Sequence, residues 1–419
     1  MMKKIFSFFG GLIICIICIS CAENQASKND TPSYKKVRKR PLQNSDTHFA
    51  QVGKIDTMVQ NFMQYWSLKG VSLAIVKDEK LIYAKGFGYA DEAKKEIVTP
   101  HHLFRIASVS KLITAVAVMK LVEEHKLKLT DKVFGQQGIL HEYKEAKDPR
   151  ALQIEVQHLL THTGGWKNKF RADPMFIPLE IAEYMKVKPP INLDIITRFM
   201  LSQKMIAQPG TFFDYSNFGY CLLGKVIERI SGMDYETFVK QKMFKSLEIN
   251  QIHLGKNFIT HKAPTEVSYY EHFGAKSRPA FDGTNHTTRP YGIDIETLGA
   301  AGGWIASPKE LLKFLNYIDG FAEKEDIISP QTLALMTSQQ DSTRTIGWRN
   351  CKEDIWLRTG SLVGTQTVLA RQKDGFSWVI VSNTSTWRAH RFSYDLLAFM
   401  KKVIKFVPNK ANEDLFDYQ

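Results

Sequence analysis

The stretch Phe104-Arg105-Ile106-Ala107-Ser108-Val109-Ser110-Lys111-Leu112-Ile113-Thr114-Ala115 decides how this chain is read. After Lys111 the sequence is almost wholly apolar to Met119 and then mixed to Leu129. Such a run, opened by serines, predicts a buried helix with Ser108 in its first turn. Residues three apart share a helix face, so the Ser108 hydroxyl and the Lys111 amine are expected side by side. A serine attacks poorly until a base takes its proton, and a desolvated lysine can be that base. The positive end of the helix dipole also disfavours a charged lysine there. Ser33-Tyr34-Lys35-Lys36 fits the same string, but it lies in a polar stretch with no helix to present it.

The chain has 419 residues, enough for one large two-lobed domain or two modest ones. Its apolar content of 44% and aromatic content of 11% are those of a globular protein. The formal charge is +13, but its clearest cluster is local: Lys35, Lys36, Arg38, Lys39 and Arg40. No basic helix face, zinc pattern or aromatic RNA-binding motif accompanies it, so nucleic acid is not an expected partner. No Cys or His spacing suits a metal, and no cofactor is implied; His141-Glu142 lacks the second histidine of a zinc helix.

The N-terminus accounts for the basic start. Met1-Met2-Lys3-Lys4 leads into an apolar run from Ile5 to Ile19, then Ser20 and Cys21. A basic start, a short apolar core and a small residue at a cleavage point make an export signal. The run is short for a span, which takes about 20 residues. Cys21 resembles the lipid-attachment cysteine of bacterial lipoproteins, with Ser20 suited to the place before it; Cys18 departs from the aliphatic residue usual there. Residues 1–21 are therefore expected to be a lipoprotein signal. The mature protein is expected to be exported and lipid-anchored in the bacterial envelope, facing the periplasm or at the outer membrane. Of the five cysteines, Cys15 and Cys18 leave with the signal and Cys21 is lipidated. Cys221 and Cys351 remain, either paired or as two buried thiols.

Residues 22–49 are polar and basic and read as a tether, either solvated or touching anionic headgroups. Apolar residues at helical spacing predict a helix over 52–66. Val71–Val76 and Lys80–Gly86 read as a hairpin joined by Lys77-Asp78-Glu79, and Thr365–Arg371 and Ser377–Ser382 as another around Lys373-Asp374-Gly375. A last helix is expected from about Phe392 to Phe406. The fold class is thus α/β of the α+β kind: one antiparallel sheet built from both termini, flanked by the terminal helices, with a helical lobe inserted. The folded domain covers 50–406, with a sheet lobe at about 50–105 and 346–406, a helical lobe at about 106–345, and a tail at 407–419.

A nucleophilic serine needs a proton relay, an amide-binding group and an oxyanion hole. Tyr215-Ser216-Asn217 is the chain's one Tyr-x-Asn; it follows the turn signal Gln208-Pro209-Gly210 and precedes an apolar helix from near Gly219, which predicts a loop. A tyrosine beside a lysine can relay a proton, and an asparagine can bind a substrate carbonyl or amide. Arg358-Thr359-Gly360-Ser361 precedes Gly364 and a β-rich run, so it is expected at a strand edge. A backbone N–H there can join that of Ser108 in an oxyanion hole, and the cation can bind a substrate carboxylate. His162-Thr163-Gly164 competes for the cation-Thr-Gly string and reads as a structural turn under the helical lobe.

The order Ser-x-x-Lys, Tyr-x-Asn, basic-Thr-Gly resembles the serine β-lactamase and penicillin-binding-protein superfamily, in particular its class C β-lactamase, D,D-peptidase and esterase branch. Leu159–Gly165, Gln208–Tyr220, Ala301–Pro308 and Gly360–Thr365 resemble further segments of that family in order, and the resemblance spans about 51–405. It implies a β-lactamase-like fold and a serine hydrolase acting on a small-molecule, peptide or ester substrate. It implies that Ser108 forms the acyl-enzyme and that Lys111 and Tyr215 share base and acid work. Asn217 would hold the substrate amide, and the N–H groups of Ser108 and Ser361 would form the oxyanion hole. Arg358, Thr359 and Gly360 complete the implied binding strand. The class A glutamate has no counterpart motif, so deacylation would rest on Tyr215 and Lys111. Arg358 stands where the family usually has Lys or His. It keeps the charge but never donates a proton near neutral pH. That departure supports an alternative, a penicillin-binding or sensor-like protein that acylates without efficient turnover, and it argues against strong β-lactamase activity. Specificity is expected in the loops 167–195 and 255–295; no oligomeric state follows from the sequence.

Overall fold

Two β-rich ends of the chain meet in one sheet. In this computed structural model, which describes residues 40–275, 279–284, 289–338, 345–410 and 413–418, the strands are β1 (Gly70–Lys77), β2 (Lys80–Asp91), β3 (Glu96–Ile97), β4 (Phe104–Arg105), β5 (Ile252–Leu254), β6 (Trp304–Ala306), β7 (Asn350–Lys352), β8 (Ile355–Leu362), β9 (Thr365–Gln372) and β10 (Phe376–Ser382). The helices are α1 (Val52–Trp66), α2 (Ser110–Glu123), α3 (Val156–Leu160), α4 (Pro178–Met185), α5 (Leu193–Leu201), α6 (Asn217–Ser231), α7 (Tyr235–Val239), α8 (Ile295–Gly302), α9 (Pro308–Leu315), α10 (Pro330–Thr337) and α11 (Phe392–Val403). The large sheet runs β3-β2-β1-β10-β9-β8-β7 and its pairings are antiparallel. β1 joins the two ends of the chain, pairing Leu73 with Ile380 on one side and Lys85 on the other.

The sheet is covered on both faces, and its sequence shows why. Every residue of β1 is buried. Val71, Leu73 and Ile75 pack with α1 and α11 through Ile55, Val59, Leu396 and Met400. Ala74 and Val76, on the opposite face, join the core built around α2 and α9. Strands buried on both faces read as continuous apolar runs, whereas half-exposed ones alternate. α2 is buried all round, with Ser110 to Met119 and Leu121 all inside, which is how a helix with an apolar circumference must sit.

Several boundaries differ from the sequence reading. The segment read as tether up to residue 49 is already built into the fold from residue 40. Leu42 is buried, and the Asn44 side chain donates to the Gly86 and Val98 carbonyls. The tail returns as well. Leu415 and Tyr418 are buried, Asp414 accepts the Leu81 N–H at 2.9 Å, and Lys309 donates to the Tyr418 carbonyl at 2.7 Å. Between the two ends the chain is not purely helical: β4, β6 and β5 form a second, three-stranded sheet. The last helix stops at Val403 and continues as a single 3-10 turn, Ile404–Phe406. Cys221 and Cys351 are two buried thiols, so of the two alternatives it is not the disulfide that the fold adopts. The signal, Cys21 and Ser33-Tyr34-Lys35-Lys36 lie outside the described residues.

The small sheet and β8 together seat the turn that carries Ser108. Ile106 donates its N–H to the Trp304 carbonyl at 3.0 Å, and Thr365 donates its hydroxyl to the Arg105 carbonyl at 2.7 Å. Gly360 on β8 lies so close that a Cβ there would stand 2.2 Å from the Ile106 carbonyl oxygen and 3.1 Å from the Ala107 Cβ. A backbone oxygen cannot give way as a side-chain tip can. Gly360→Ala is therefore expected to destabilise the protein by about 1–3 kcal/mol, read as a lower urea midpoint with an unchanged slope. A surface glycine with nothing near its would-be Cβ, Gly53, is the control.

Candidate active site

Ser108 stands in a 3-10 turn, Ala107–Val109, that leads directly into α2, so it precedes the helix rather than opening it. Ala107 has a φ of 49°, a left-handed conformation that costs energy in a residue with a side chain and is held here by the packing of β8 and α8 around the turn. Lys111 is in the first turn of α2 and has no exposed surface. Its Nζ donates to the Asn217 Oδ1 at 2.6 Å and to the Ala301 carbonyl at 2.5 Å, and lies 3.4 Å from the Ser108 Oγ. The Ala301 carbonyl is available because it lies in the last turn of α8, where carbonyls have no helical N–H partner; the helix is also kinked at Gly299, whose φ and ψ of 19° and −101° are not helical. The Ala300 carbonyl, in the same last turn, accepts from Thr114, one turn along α2.

Tyr215 ends the loop before α6, and its hydroxyl lies 2.9 Å from the Ser108 Oγ. Asn217 is not on that loop: it is the first residue of α6, behind a Ser216 N-cap that accepts the Gly219 N–H. Its amide faces inward, with Oδ1 on Lys111 and Nδ2 on Asp173. It is therefore a partner of the lysine first, with one N–H left for a substrate group. Arg358 on β8 donates from Nε to the Ser108 carbonyl at 2.8 Å and from an Nη to the Tyr215 hydroxyl at 3.3 Å.

β7 pairs only with the first residues of β8, opposite Ile355 to Leu357, so beyond them this edge of β8 has no strand neighbour among the described residues and faces the Ser108 turn. The Leu357 carbonyl points to that edge, where it accepts the Arg349 N–H at 2.9 Å. Backbone direction alternates along a strand, so the N–H of Ser361, four residues on, points to the same edge. The Ser361 hydroxyl accepts from Gln366 at 2.7 Å. Two cavities flank the site. One, of about 440 Å³, runs from Tyr215 past Arg358 and Thr359 to Arg349, Trp348 and Tyr394. The other, of about 390 Å³, lies beside Ser361 and takes Phe176 and His272 from the two loops expected to govern specificity. A larger cleft of about 660 Å³ at Leu140, Tyr143 and Arg229 contains none of these groups.

The electrostatics favour proton transfer. Burial pushes the Lys111 amine below its usual pKa, and the Arg358 charge adds to this. Burial would raise the Tyr215 phenol, but the charges of Lys111 and Arg358 and the hydrogen bonds of Ser108 and Lys111 together bring it down to about 8. The ring edge of Tyr215 keeps contact with solvent, at 38% exposure, while its hydroxyl is turned into this charged interior.

Sequence reasoning missed two neighbours. His162 does form a turn, with a φ of 57°, but its ring also packs 4.4 Å from that of Tyr215, and its Nδ1 accepts the Ser216 N–H at 3.1 Å. Burial, with the Lys111 and Arg358 charges, holds this imidazole neutral. Asp173 supports Asn217 and carried no sequence signal beyond a cap-like Asp-Pro.

A model of the beta-lactamase family matches residues 55–398. The chain belongs to the beta-lactamase family. A serine hydrolase is the enzyme class this membership supports. The octameric penicillin-binding protein homologue from Pyrococcus abyssi is 26% identical, with a TM-score of 0.62 over 83% of this chain and 78% of that one. D-amino acid amidase from Ochrobactrum anthropi SV3 shares the fold at 21% identity, with a TM-score of 0.67 over 84% of this chain and 98% of that one. Protein flp of Staphylococcus aureus (strain MRSA252) is 29% identical over 233 residues, 55% of this chain and 44% of that protein. The chain thus matches less than half the length of that relative.

The phenol is open to direct titration. Near-ultraviolet absorbance of the folded protein is expected to show one phenolate step near pH 8 that Tyr215→Phe lacks. Arg358→Ala removes a positive charge beside the phenolate, so the same step moves to higher pH.

Proposed function

We propose that this chain is a serine hydrolase that cleaves an amide or ester through an acyl-serine at Ser108. The observation that carries the reading is the Ser108 hydroxyl, held 2.9 Å from the Tyr215 hydroxyl and 3.4 Å from the Lys111 amine. The shorter contact makes Tyr215 the direct base, with Lys111 behind it as the charge that stabilises the phenolate. The Ser108 proton passes to Tyr215 as Oγ bonds to the substrate carbonyl carbon. The oxygen of the tetrahedral intermediate is received by the N–H groups of Ser108 and Ser361, and the leaving amine or alcohol takes the proton from Tyr215 as its bond to carbon breaks. Water then repeats the sequence to release the acid. In this reading Arg358 and Thr359 face the substrate from β8, and Gly360 lets the strand come close.

The protein is, in this reading, exported and held at the cell envelope by a lipid on Cys21. The basic start, short apolar run and Ser20-Cys21 pair support that. No helix among the described residues is long and apolar enough to cross a membrane.

A second reading, a protein that acylates and turns over slowly, is favoured by Arg358. A guanidinium bonded to the Tyr215 hydroxyl stabilises the phenolate but supplies no proton for the later steps. The two separate in pre-steady-state kinetics: a stoichiometric burst with no steady phase is the sensor's signature.

A fluorophosphonate or labelled penicillin is expected to mark the wild type and not Ser108→Ala. Lys111→Met is expected to acylate about 10²-fold more slowly or worse while staying folded by circular dichroism. Labelling that persists in Ser108→Ala sinks the assignment. Nitrocefin, a D-Ala-D-Ala peptide and a p-nitrophenyl ester compared side by side assign the substrate, with nitrocefin expected to turn over slowly.

A further inference from the structure

We propose that Asp173 is a positioning residue for Lys111: it clamps the Asn217 amide so that its oxygen, and not its nitrogen, meets the lysine. The inference rests on the acyl-serine reading above. An asparagine amide has two ends of nearly equal shape and opposite polarity, and only one of them can face an amine that donates. Here the Asn217 Oδ1 accepts from Lys111 at 2.6 Å while its Nδ2 donates to the Asp173 Oδ2 at 3.1 Å. The backbone N–H of Asn217 donates to that same oxygen at 2.9 Å. The other carboxylate oxygen accepts the Met175 N–H at 3.0 Å, so the clamp is itself held.

An ionised carboxylate only accepts, and that selects the amide orientation. With the amide turned over, Oδ1 would face the carboxylate and Nδ2 the amine, leaving two repulsive contacts in a buried site. A neutral amide at position 173 has a single oxygen for the Asn217 and Met175 N–H groups, so its nitrogen opposes one of them and the clamp on the Asn217 amide loosens. Asp173 also sits at the N-terminus of α6, where the helix dipole favours an anion. Burial raises the Asp173 carboxyl above its usual pKa, and the hydrogen bonds from Asn217 and Met175 and the charge of Lys111 counter that rise only in part.

Asp173 also caps the 3-10 turn Pro174–Phe176, and a purely structural role would end there. The test therefore measures phosphonylation of Ser108 by a fluorophosphonate, with fluoride leaving, across pH in wild type, Asp173→Asn, Asn217→Ala and the double variant. Asp173→Asn is expected to lower the plateau rate about tenfold and to have no further effect in the Asn217→Ala background, because its action passes through Asn217. The alkaline limb of the profile, where Lys111 loses the charge that stabilises the phenolate, is expected to move to lower pH. Lys111 is faced by Tyr215, His162, Tyr220, Cys221, Arg358 and Asp173. Of these, only the Asp173 charge changes in the variant, and removing an anion weakens the cationic lysine.

Equal slowing in both backgrounds, or a limb that stays in place, overturns the proposal. If Asp173→Asn melts far below the wild type, Asp173→Ser takes its place. It keeps a cap oxygen for Met175 and removes the charge and the reach to Asn217, with the same expected limb shift. Labelling that persists in Ser108→Ala fails the acyl-serine reading instead, so the two failures are told apart.

Discussion

A lysine with no exposed surface organises this site. Taking an ammonium out of water costs several kcal/mol unless its donors are met, so the surroundings of Lys111 have to supply oxygens. They come from elements far apart in sequence. Asn217 offers its amide oxygen from the start of α6, and Ala301 offers a carbonyl from the last turn of α8. Each has to arrive at one point on α2. The packing of α2 against α6 and α8 is thus tied to satisfying one amine.

That requirement also shapes the acid–base chemistry. Burial favours the neutral amine, and two acceptors within 2.6 Å hold it in place whichever form it takes. Tyr215 then feels two cations from different sides, Lys111 from α2 and Arg358 from β8. Together they bring it to about 8, close enough to neutrality for the phenolate to be reached at modest cost. The neutral His162 ring packed on Tyr215 adds no third charge and limits where the phenol can turn.

Much of this was legible in the sequence because it rides on strong local patterns. The all-apolar stretch after Lys111 could only be an internal helix, and the two hairpins flanked by helices described the sheet. Ser108, Lys111, Tyr215, Asn217 and Arg358 are brought together by that fold. Other parts were silent for physical reasons. β4, β5 and β6 are two or three residues long, too short to show periodicity. The Ala301 carbonyl belongs to the backbone and has no residue code. Asp173 acts by reaching across to another element, which spacing cannot reveal. The segments around Leu42 and Leu415 are polar overall and are ordered by a few buried side chains rather than by a pattern.

Arg358 shows how a departure from the usual residue can be a structural choice as much as a chemical one. Its guanidinium bonds the Ser108 carbonyl and the Tyr215 hydroxyl at once, so one side chain ties β8, the nucleophile's turn and the base together. An ammonium on a flexible stem has no fixed fork and would hold that geometry at greater entropic cost. The guanidinium stays charged at any ordinary pH, so it gives a proton to no step. In the proposed acyl-serine reading, an arginine here therefore strengthens the steps that form a phenolate and an acyl-serine, and it leaves their reversal to Tyr215 and Lys111 alone.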